Sequence, residues 1–225
     1  MSALGTLYRG VTGMAGPVAE LALPWVRRAE SQELRDERLG RTARRADTWW
    51  HAASLGEVAV LEPLLAESAR RGHTESFAVT TTSLTGRIAA ERAWPGRAAL
   101  APLDFPACVQ RALASRGPRR LLLVETELWP NWLHACHTRE VPVAVVNGRI
   151  SDRSWPRYRR WRAVLAPELQ GVRAVAARTE RDAERFAALG VPGRSIRVFW
   201  YCKHDRQARP GGAAAPPRAP RAAPG

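Results

Sequence analysis

From residue 48 to residue 201 the chain repeats one unit: an apolar run of strand length, a turn of small or polar residues, and a segment of helix length. "TWWHAAS" (48–54) precedes "GEVAVLEPLLAESARRG" (56–72), "FAVTTTS" precedes "TGRIAAERAW", and "RAALAPLD" precedes "PACVQRALASRG". "RLLLVET" leads into "PNWLHACHTRE", and "VPVAVVNG" into an arginine-rich stretch from Trp155 to Leu165. "VRAVAAR", "TERDAERFAALG" and "SIRVFWY" end the series. The apolar runs are nearly continuous, the pattern of strands covered on both faces; a strand with one wet face would alternate. Strand and helix in turn predict an α/β fold, a doubly wound, Rossmann-like parallel sheet. Right-handed crossovers bring the carboxyl ends of all its strands to one edge, where ligands of open α/β sheets bind.

Polar groups collect at that edge. The first strand ends in "HAASLGE", with Ser54, Gly56 and Glu57 entering a helix. The second ends in "TSLTG", with Thr82, Ser83, Thr85 and Gly86, and the third in "PLDFP", with Asp104. The fourth ends in "ETELWPN", with Glu125 and Glu127, and the fifth in "NGRIS", with Asn147, Arg149 and Ser151. One such turn is commonplace, whereas five at successive strand ends predict a site. Small residues let a ligand approach the backbone, and helix amino termini favour anions. Glu57 has two readings. A first-turn glutamate gains about 0.3–1 kcal/mol from the helix dipole, and the same position suits a general base for a substrate hydroxyl. Glu125 and Glu127 are costly to bury beside a strand unless they have a partner or a task. They either line a ligand cleft or pair with Arg119, Arg120 or Arg149. His51 reads as a hydrogen-bonded core histidine. "HACH" (His134, Cys136, His137) places only its two histidines on one helix face, so no metal is expected.

Length and charge bound the rest. At 225 residues and 24.8 kDa, with 45% hydrophobic residues, the chain suits one globular domain plus tails. The net charge is +14, almost all of it arginine, which makes acidic partners the default expectation. Cys108, Cys136 and Cys202 lie far apart and show neither disulfide nor zinc spacing, the pattern of a reducing compartment. Residues 3–26 are mostly apolar but carry Arg9, Glu20 and Pro17, too interrupted for a spanning helix. They read either as an amphipathic helix packed on its own domain or as an interfacial anchor, with Trp25 at headgroup depth and Arg27 and Arg28 near anionic lipid. From Arg206 onward the sequence is a Pro/Ala/Arg-rich tail, expected to be disordered. The expected domains are therefore residues 1–28, a possible membrane-associated helix; 29–205, the Rossmann-like domain; and 206–225, the tail. Trp155 and Trp161 among arginines raise the alternative of a nucleic-acid-binding module, but no binding motif accompanies them and no specific nucleic acid is expected.

The same motifs carry a family resemblance. "HAASLGE", "TSLTG", "PLDFP", "ETELWPN", "NGRIS" followed by "RSWPRY", and "ERFAALG" occur in order across residues 4–205. In this the chain resembles the amino-terminal domain of the 3-deoxy-D-manno-octulosonic acid (Kdo) transferases of lipopolysaccharide synthesis. The resemblance implies the amino-terminal half of a two-domain glycosyltransferase B (GT-B) fold. That half receives a lipid A precursor, and a second half holds CMP-Kdo. It implies that Glu57 is the base acting on the acceptor hydroxyl, that Glu125 and Glu127 line the cleft, and that no cofactor is used. It also implies work at the cytoplasmic face of the inner membrane, on an anionic surface that Arg149, Arg153, Arg157, Arg159 and Arg160 would suit. Two departures accompany it. The family's Gly-Asn-Leu-Lys-Phe-Asp-like turn reads "WYCKHD" (200–205) here, keeping Lys203 and Asp205 but placing Trp200 at the glycine. The tail then stands where the donor-binding domain is expected, so the chain is expected to be inactive alone, or a non-catalytic acceptor-binding fragment.

Overall fold

The computed structural model describes residues 2–42 and 44–199. The tail from residue 206 and the "WYCKHD" turn lie outside the described residues. Seven parallel strands form one sheet: β1 (Thr48–His51), β2 (Phe77–Thr81), β3 (Ala98–Leu100), β4 (Arg120–Val124), β5 (Val143–Gly148), β6 (Val172–Ala177) and β7 (Ile196–Val198). Their order is β3-β2-β1-β4-β5-β6-β7, with β1 paired to β2 on one side and β4 on the other. The doubly wound parallel sheet expected from the sequence is the fold observed.

The helices are α1 (Ala3–Val26), α2 (Gln32–Arg38), α3 (Leu55–Arg70), α4 (Leu84–Ala93), α5 (Pro106–Arg116), α6 (Pro130–Thr138), α7 (Trp155–Arg160), α8 (Arg162–Leu169) and α9 (Glu180–Leu189). Each crossover helix starts where its sequence says it should. Ser54, Ser83 and Thr179 cap α3, α4 and α9 through their hydroxyls, and Pro106 and Pro130 open α5 and α6. The arginine-rich stretch after β5 breaks at Trp161 into two short helices. The main core lies between β1, β4, β5 and β6 and the helices α5, α6, α8 and α9, around Trp49, Trp132 and Phe186. A smaller one joins α3 and α4 to the opposite face.

Sequence periodicity gives no hint of α2, a seven-residue helix of mostly charged side chains. Its Glu37 is almost fully buried, takes a forked pair of hydrogen bonds from Arg87, and accepts the amide of Leu100 at 2.7 Å. One buried carboxylate thus ties α2 to α4 and to β3.

The helix α1 has two faces. Gly5, Gly16 and Leu23 are buried against the domain, and most of the inner contacts are polar. Tyr8 donates to Asp104 (2.9 Å), Arg9 pairs with Glu168 (3.1 Å), and Thr12 accepts from Asn131 (3.1 Å). On the outer face Leu4, Leu7, Val11, Met14, Val18, Leu21 and Trp25 form an unbroken stripe at alternating three- and four-residue steps, each more than half exposed. Among the described residues no helix is long and apolar enough to cross a membrane.

The turn after α2 offers a test of packing against backbone strain. Gly40 and Gly72 both have left-handed backbones, φ 69° and 79°. A Cβ on Gly40 would lie 2.2 Å from the carbonyl oxygen of Cys108, whereas one on Gly72 meets nothing within 4 Å. Gly72→Ala is therefore expected to cost about 1–2 kcal/mol from the left-handed backbone alone. Gly40→Ala should add an overpacking penalty of about 1–3 kcal/mol. Urea unfolding of the two variants checks the difference, and equal losses would refute the close approach of α2 to α5.

Candidate functional site

The strand order reverses at β1 and β4, and the carboxyl ends of these two neighbours hold three carboxylates. Glu57 arrives from the β1 side on the first turn of α3; Glu125 and Glu127 arrive from the β4 side. Ser54 and Glu57 form a reciprocal cap. The Ser54 hydroxyl accepts the Glu57 amide (3.4 Å) and donates to Glu57 Oε1 (3.0 Å), while Oε2 accepts the amide of Ala53 (2.8 Å). Both readings of Glu57 thus meet in one residue: it caps its helix, and it faces the strand ends. Burial raises its carboxyl to about 7; the Ala53 and Ser54 hydrogen bonds act against that rise, and the charges of Glu125 and Glu127 add to it. Burial also raises Glu127, partly offset by a hydrogen bond from Trp129 and the charge of Arg157.

No ion pair among the described residues involves Glu57, Glu125 or Glu127. Arg120, one of the partners considered for the pair, binds Glu75 instead, at 2.9 Å. Glu125 and Glu127 act on Glu57 as like charges, and an opposing charge, that of Arg157, acts on Glu127 without forming an ion pair.

The neighbouring turns are knitted to this cluster through backbone. The amides of Thr82 and Ser83 both donate to the Ala53 carbonyl at 3.0 Å, and Ser83 Oγ caps the amide of Gly86 at 3.1 Å. Thr85 donates to Ser83 Oγ at 3.4 Å. A Cβ at Gly86 would come within 3.2 Å of the Ser54 backbone, so this glycine lets the second turn close on the first. Gly56 is exposed beside Ser54.

On the other side, Glu125 and Asn147 end β4 and β5 in left-handed conformations, φ 60° and 54°. Side chains at such angles are uncommon, and such strain concentrates at functional sites. The turn after β4 is held by the Thr126 hydroxyl, which donates to the Arg149 carbonyl, and by Tyr158, whose hydroxyl donates to the Thr126 carbonyl at 2.8 Å. Asn147 is buried, Arg149 is exposed at the edge, and Ser151 pairs with Ser154 at 2.9 Å. Arg153, Arg157, Arg159 and Arg160 are exposed in the loop after β5 and on α7.

Asp104 is set apart from the cluster. Its carboxylate accepts from Tyr8, from the amides of Asn131 (3.3 Å) and Trp132 (3.2 Å), and from the Asn131 side chain. It thereby caps α6 and anchors α1. Burial lifts it to about 7, with these four donors pulling the other way. His51 is wholly buried, bonded to Thr80 at 3.1 Å and packed edge-on to Trp132; burial holds it near 4, neutral at ordinary pH. His134 faces Glu168 at 3.2 Å while Cys136 points into the core, so the "HACH" side chains diverge.

Three positioning residues are not evident from the turns themselves. Asp182 accepts the amide of Ile150 at 2.8 Å, and Arg185 donates to the Ile150 carbonyl and to Asp152. Together they fix "NGRIS" from α9, and Tyr158 fixes the turn before it. The available signal is the Thr179-to-Asp182 spacing, a cap pattern whose carboxylate serves a second loop.

Comparison with known proteins adds identity to this geometry. Residues 33–206 match the family described as 3-deoxy-D-manno-octulosonic-acid transferase (kdotransferase). The chain is 32% identical over 157 residues to the 3-deoxy-D-manno-octulosonic acid transferase of Haemophilus influenzae, covering 69% of this chain and 37% of that one. It is 37% identical over 152 residues to the Bordetella pertussis enzyme of the same name, covering 64% and 35%. The chain therefore spans little more than a third of the length of the curated relatives it matches. Among solved structures, a UDP-N-acetylglucosamine 2-epimerase superposes with a TM-score of 0.50 at 12% identity, covering 69% of this chain and 46% of that one, a likeness of fold alone. The family match over most of the chain, on a doubly wound sheet carrying the family's motifs at one edge, places this protein in the 3-deoxy-D-manno-octulosonic-acid transferase family.

Proposed function

We propose that this chain supplies the acceptor side of Kdo transfer from CMP-Kdo to a lipid A precursor, with Glu57 as the base that deprotonates the acceptor hydroxyl. The observation that carries the reading is the unpaired carboxylate cluster at the β1–β4 strand ends. A carboxyl raised to about 7 can take a proton and release it near neutrality, which a fully ionised surface glutamate does poorly. Glu125 and Glu127 hold that value up and offer acceptors to sugar hydroxyls. Ser54, Gly56, Thr82, Ser83, Thr85 and Gly86 form the small, hydroxyl-rich side of the cleft. Asn147, Arg149 and Ser151 form the other, with Arg149 exposed for a phosphate of the acceptor. Asp104 belongs to this reading as the group that sets the α6 end of the cleft.

The donor is bound by the remainder of the family's length. Transfer needs both reactants in near-attack geometry, an arrangement able to supply roughly 7–11 kcal/mol of the barrier. The 225-residue chain is therefore expected to bind a lipid A precursor without releasing CMP from CMP-Kdo. Calorimetry for the acceptor and an assay for CMP release test this together, and absence of acceptor binding would refute the assignment.

In a chain extended to the relatives' length, Glu57→Gln should lower transfer by about 10²–10⁴-fold. The parent's rate should rise with pH through about 7, where Glu57 ionises. Stability moves in the opposite direction. The folded carboxyl holds its proton above the usual 4.5, so its contribution is complete below 4.5 and is lost as pH rises through about 7. Thermal melts between those limits should fall less steeply for Glu57→Gln. Matching slopes would mean that Glu57 titrates normally.

The proposal extends to place: the outer stripe of α1, ending in Trp25, Arg27 and Arg28, seats the protein on an anionic membrane surface, on the cytoplasmic side of the inner membrane. The flanks of the stripe are glycine, proline, alanine and Tyr8 rather than the charged pairs that specify a helix partner. Exposed apolar side chains beside basic groups are the two signals that stable interfacial binding needs. Replacing Leu7, Met14 and Leu21, all at least 61% exposed, by glutamine should reduce sedimentation with anionic liposomes at least tenfold. Unchanged sedimentation would overturn the membrane reading.

A further inference from the structure

Two adjoining clefts lie at the opposite, amino-terminal edge of the sheet, where the strands begin. One, of about 210 Å³, lies among the start of β3, α2, α4 and the end of α5. It is continuous with a second, which shares Arg44, Gly96 and Arg97 and adds Arg45 and Ser76.

The charges in these clefts are unevenly matched. Glu37 is already bound to Arg87 through two nitrogens and to the Leu100 amide; Glu91 accepts the Gly96 amide at 2.7 Å; Glu33 lies 3.7 Å from Arg87. Arg44, Arg97 and Arg116 join no ion pair among the described residues. Arg97 rests over the Phe77 ring and Arg116 over Trp49. The second cleft contains no acidic residue at all.

Arg116 is the decisive member. Its side chain lines the first cleft yet is only 2% exposed, and its Nε has no hydrogen-bond partner among the described residues. A guanidinium is costly to remove from water without an anion to receive its donors. The face of Trp49 and the charge of Glu37, which forms no ion pair with it, return only part of that cost. The Pro95–Gly96 turn adds a further constraint. Gly96 has φ 74°, a conformation that favours glycine, and the Arg44 guanidinium lies over the turn, with Nη1 2.7 Å from where a Cβ would sit.

We infer that this cleft is a second anion site, in which Arg116, Arg44 and Arg97 receive a phosphate or pyrophosphate group away from the carboxylate cluster. Guanidinium forks match phosphoryl oxygens in pairs, and a multiply charged anion can engage several at once. The buried Arg116 supplies the specific contact, and the exposed Arg44 and Arg97 supply attraction and closure. The group arrives either on a free polyphosphate or on a phosphate-bearing lipid headgroup.

The test is calorimetric titration of the 225-residue chain with inorganic pyrophosphate at low salt. Arg116→Met is expected to weaken binding at least tenfold, and the surface double variant Arg44→Ser/Arg97→Ser to do the same without touching the core. Arg194→Ser, at an exposed arginine outside both clefts, should leave it within twofold. Sedimentation with phosphatidic acid vesicles, with and without competing pyrophosphate, separates the sources: capture that pyrophosphate weakens indicates the headgroup, and capture that it leaves unchanged, held by α1 alone, indicates the free anion. The inference falls if pyrophosphate does not bind, if the double variant binds as the parent does, or if Arg194→Ser weakens binding as much as the double variant. Should Arg116→Met fail to fold, the double variant decides.

Discussion

The pairing of β1 with β2 on one side and with β4 on the other determines where everything else can go. The strand is four residues long, but Trp49 within it is wholly buried, donates to Thr80 at 2.8 Å and packs 4.7 Å from Trp132 of α6. Connections leave its two neighbours in opposite directions, so a crevice opens beyond its carboxyl end. Glu57 reaches that crevice because a helix must begin immediately after β1. Glu125 and Glu127 reach it because β4 must end there. Three carboxyl groups meet as a consequence of topology, and none of them forms an ion pair among the described residues, although the charge of Arg157 reaches Glu127.

Backbone strain marks the same edge. Asn147 tolerates a left-handed backbone through its short polar side chain, but Glu125 has no such excuse and carries a cost of about 1–3 kcal/mol. The surroundings over-determine it: its amide is bonded to Val146 at 2.9 Å, and the next residue is held by Arg149 and Tyr158. The turn that carries both glutamates is held by these hydrogen bonds.

Much of this was legible in the sequence. Continuous apolar runs, serine and threonine caps and prolines at first helical turns are local features, and they forecast the order of strands and helices from β1 to β7. Which turns share an edge followed from handedness, and the motifs carried the family. What was not legible depends on contacts far apart in the chain. The charged segment around Glu37 gives no apolar period, and its burial requires Arg87 fifty residues on. Asp104 reads as one more polar residue in a strand-end turn until α6 and α1 are seen to surround it. Asp182 and Arg185 read as surface charges of α9, the most strongly amphipathic of the later helices, and serve a loop that precedes them by some thirty residues.

The polar inner face of α1 bears on how the protein is made. Its anchors lie late in the chain: Tyr8 waits for Asp104, 96 residues on, and Arg9 for Glu168, 159 residues on. Ser2 bonds to the carbonyl of Ala163, 161 residues away. In synthesis from the amino terminus α1 leaves the ribosome before every one of these partners, so its polar seat on the domain is complete only once Glu168 has followed. Its apolar stripe faces outward in the finished fold and is equally uncovered before it. The helix is therefore held by the folded domain rather than nucleating it, and its seat is finished only when α8, which carries Ala163 and Glu168, is in place.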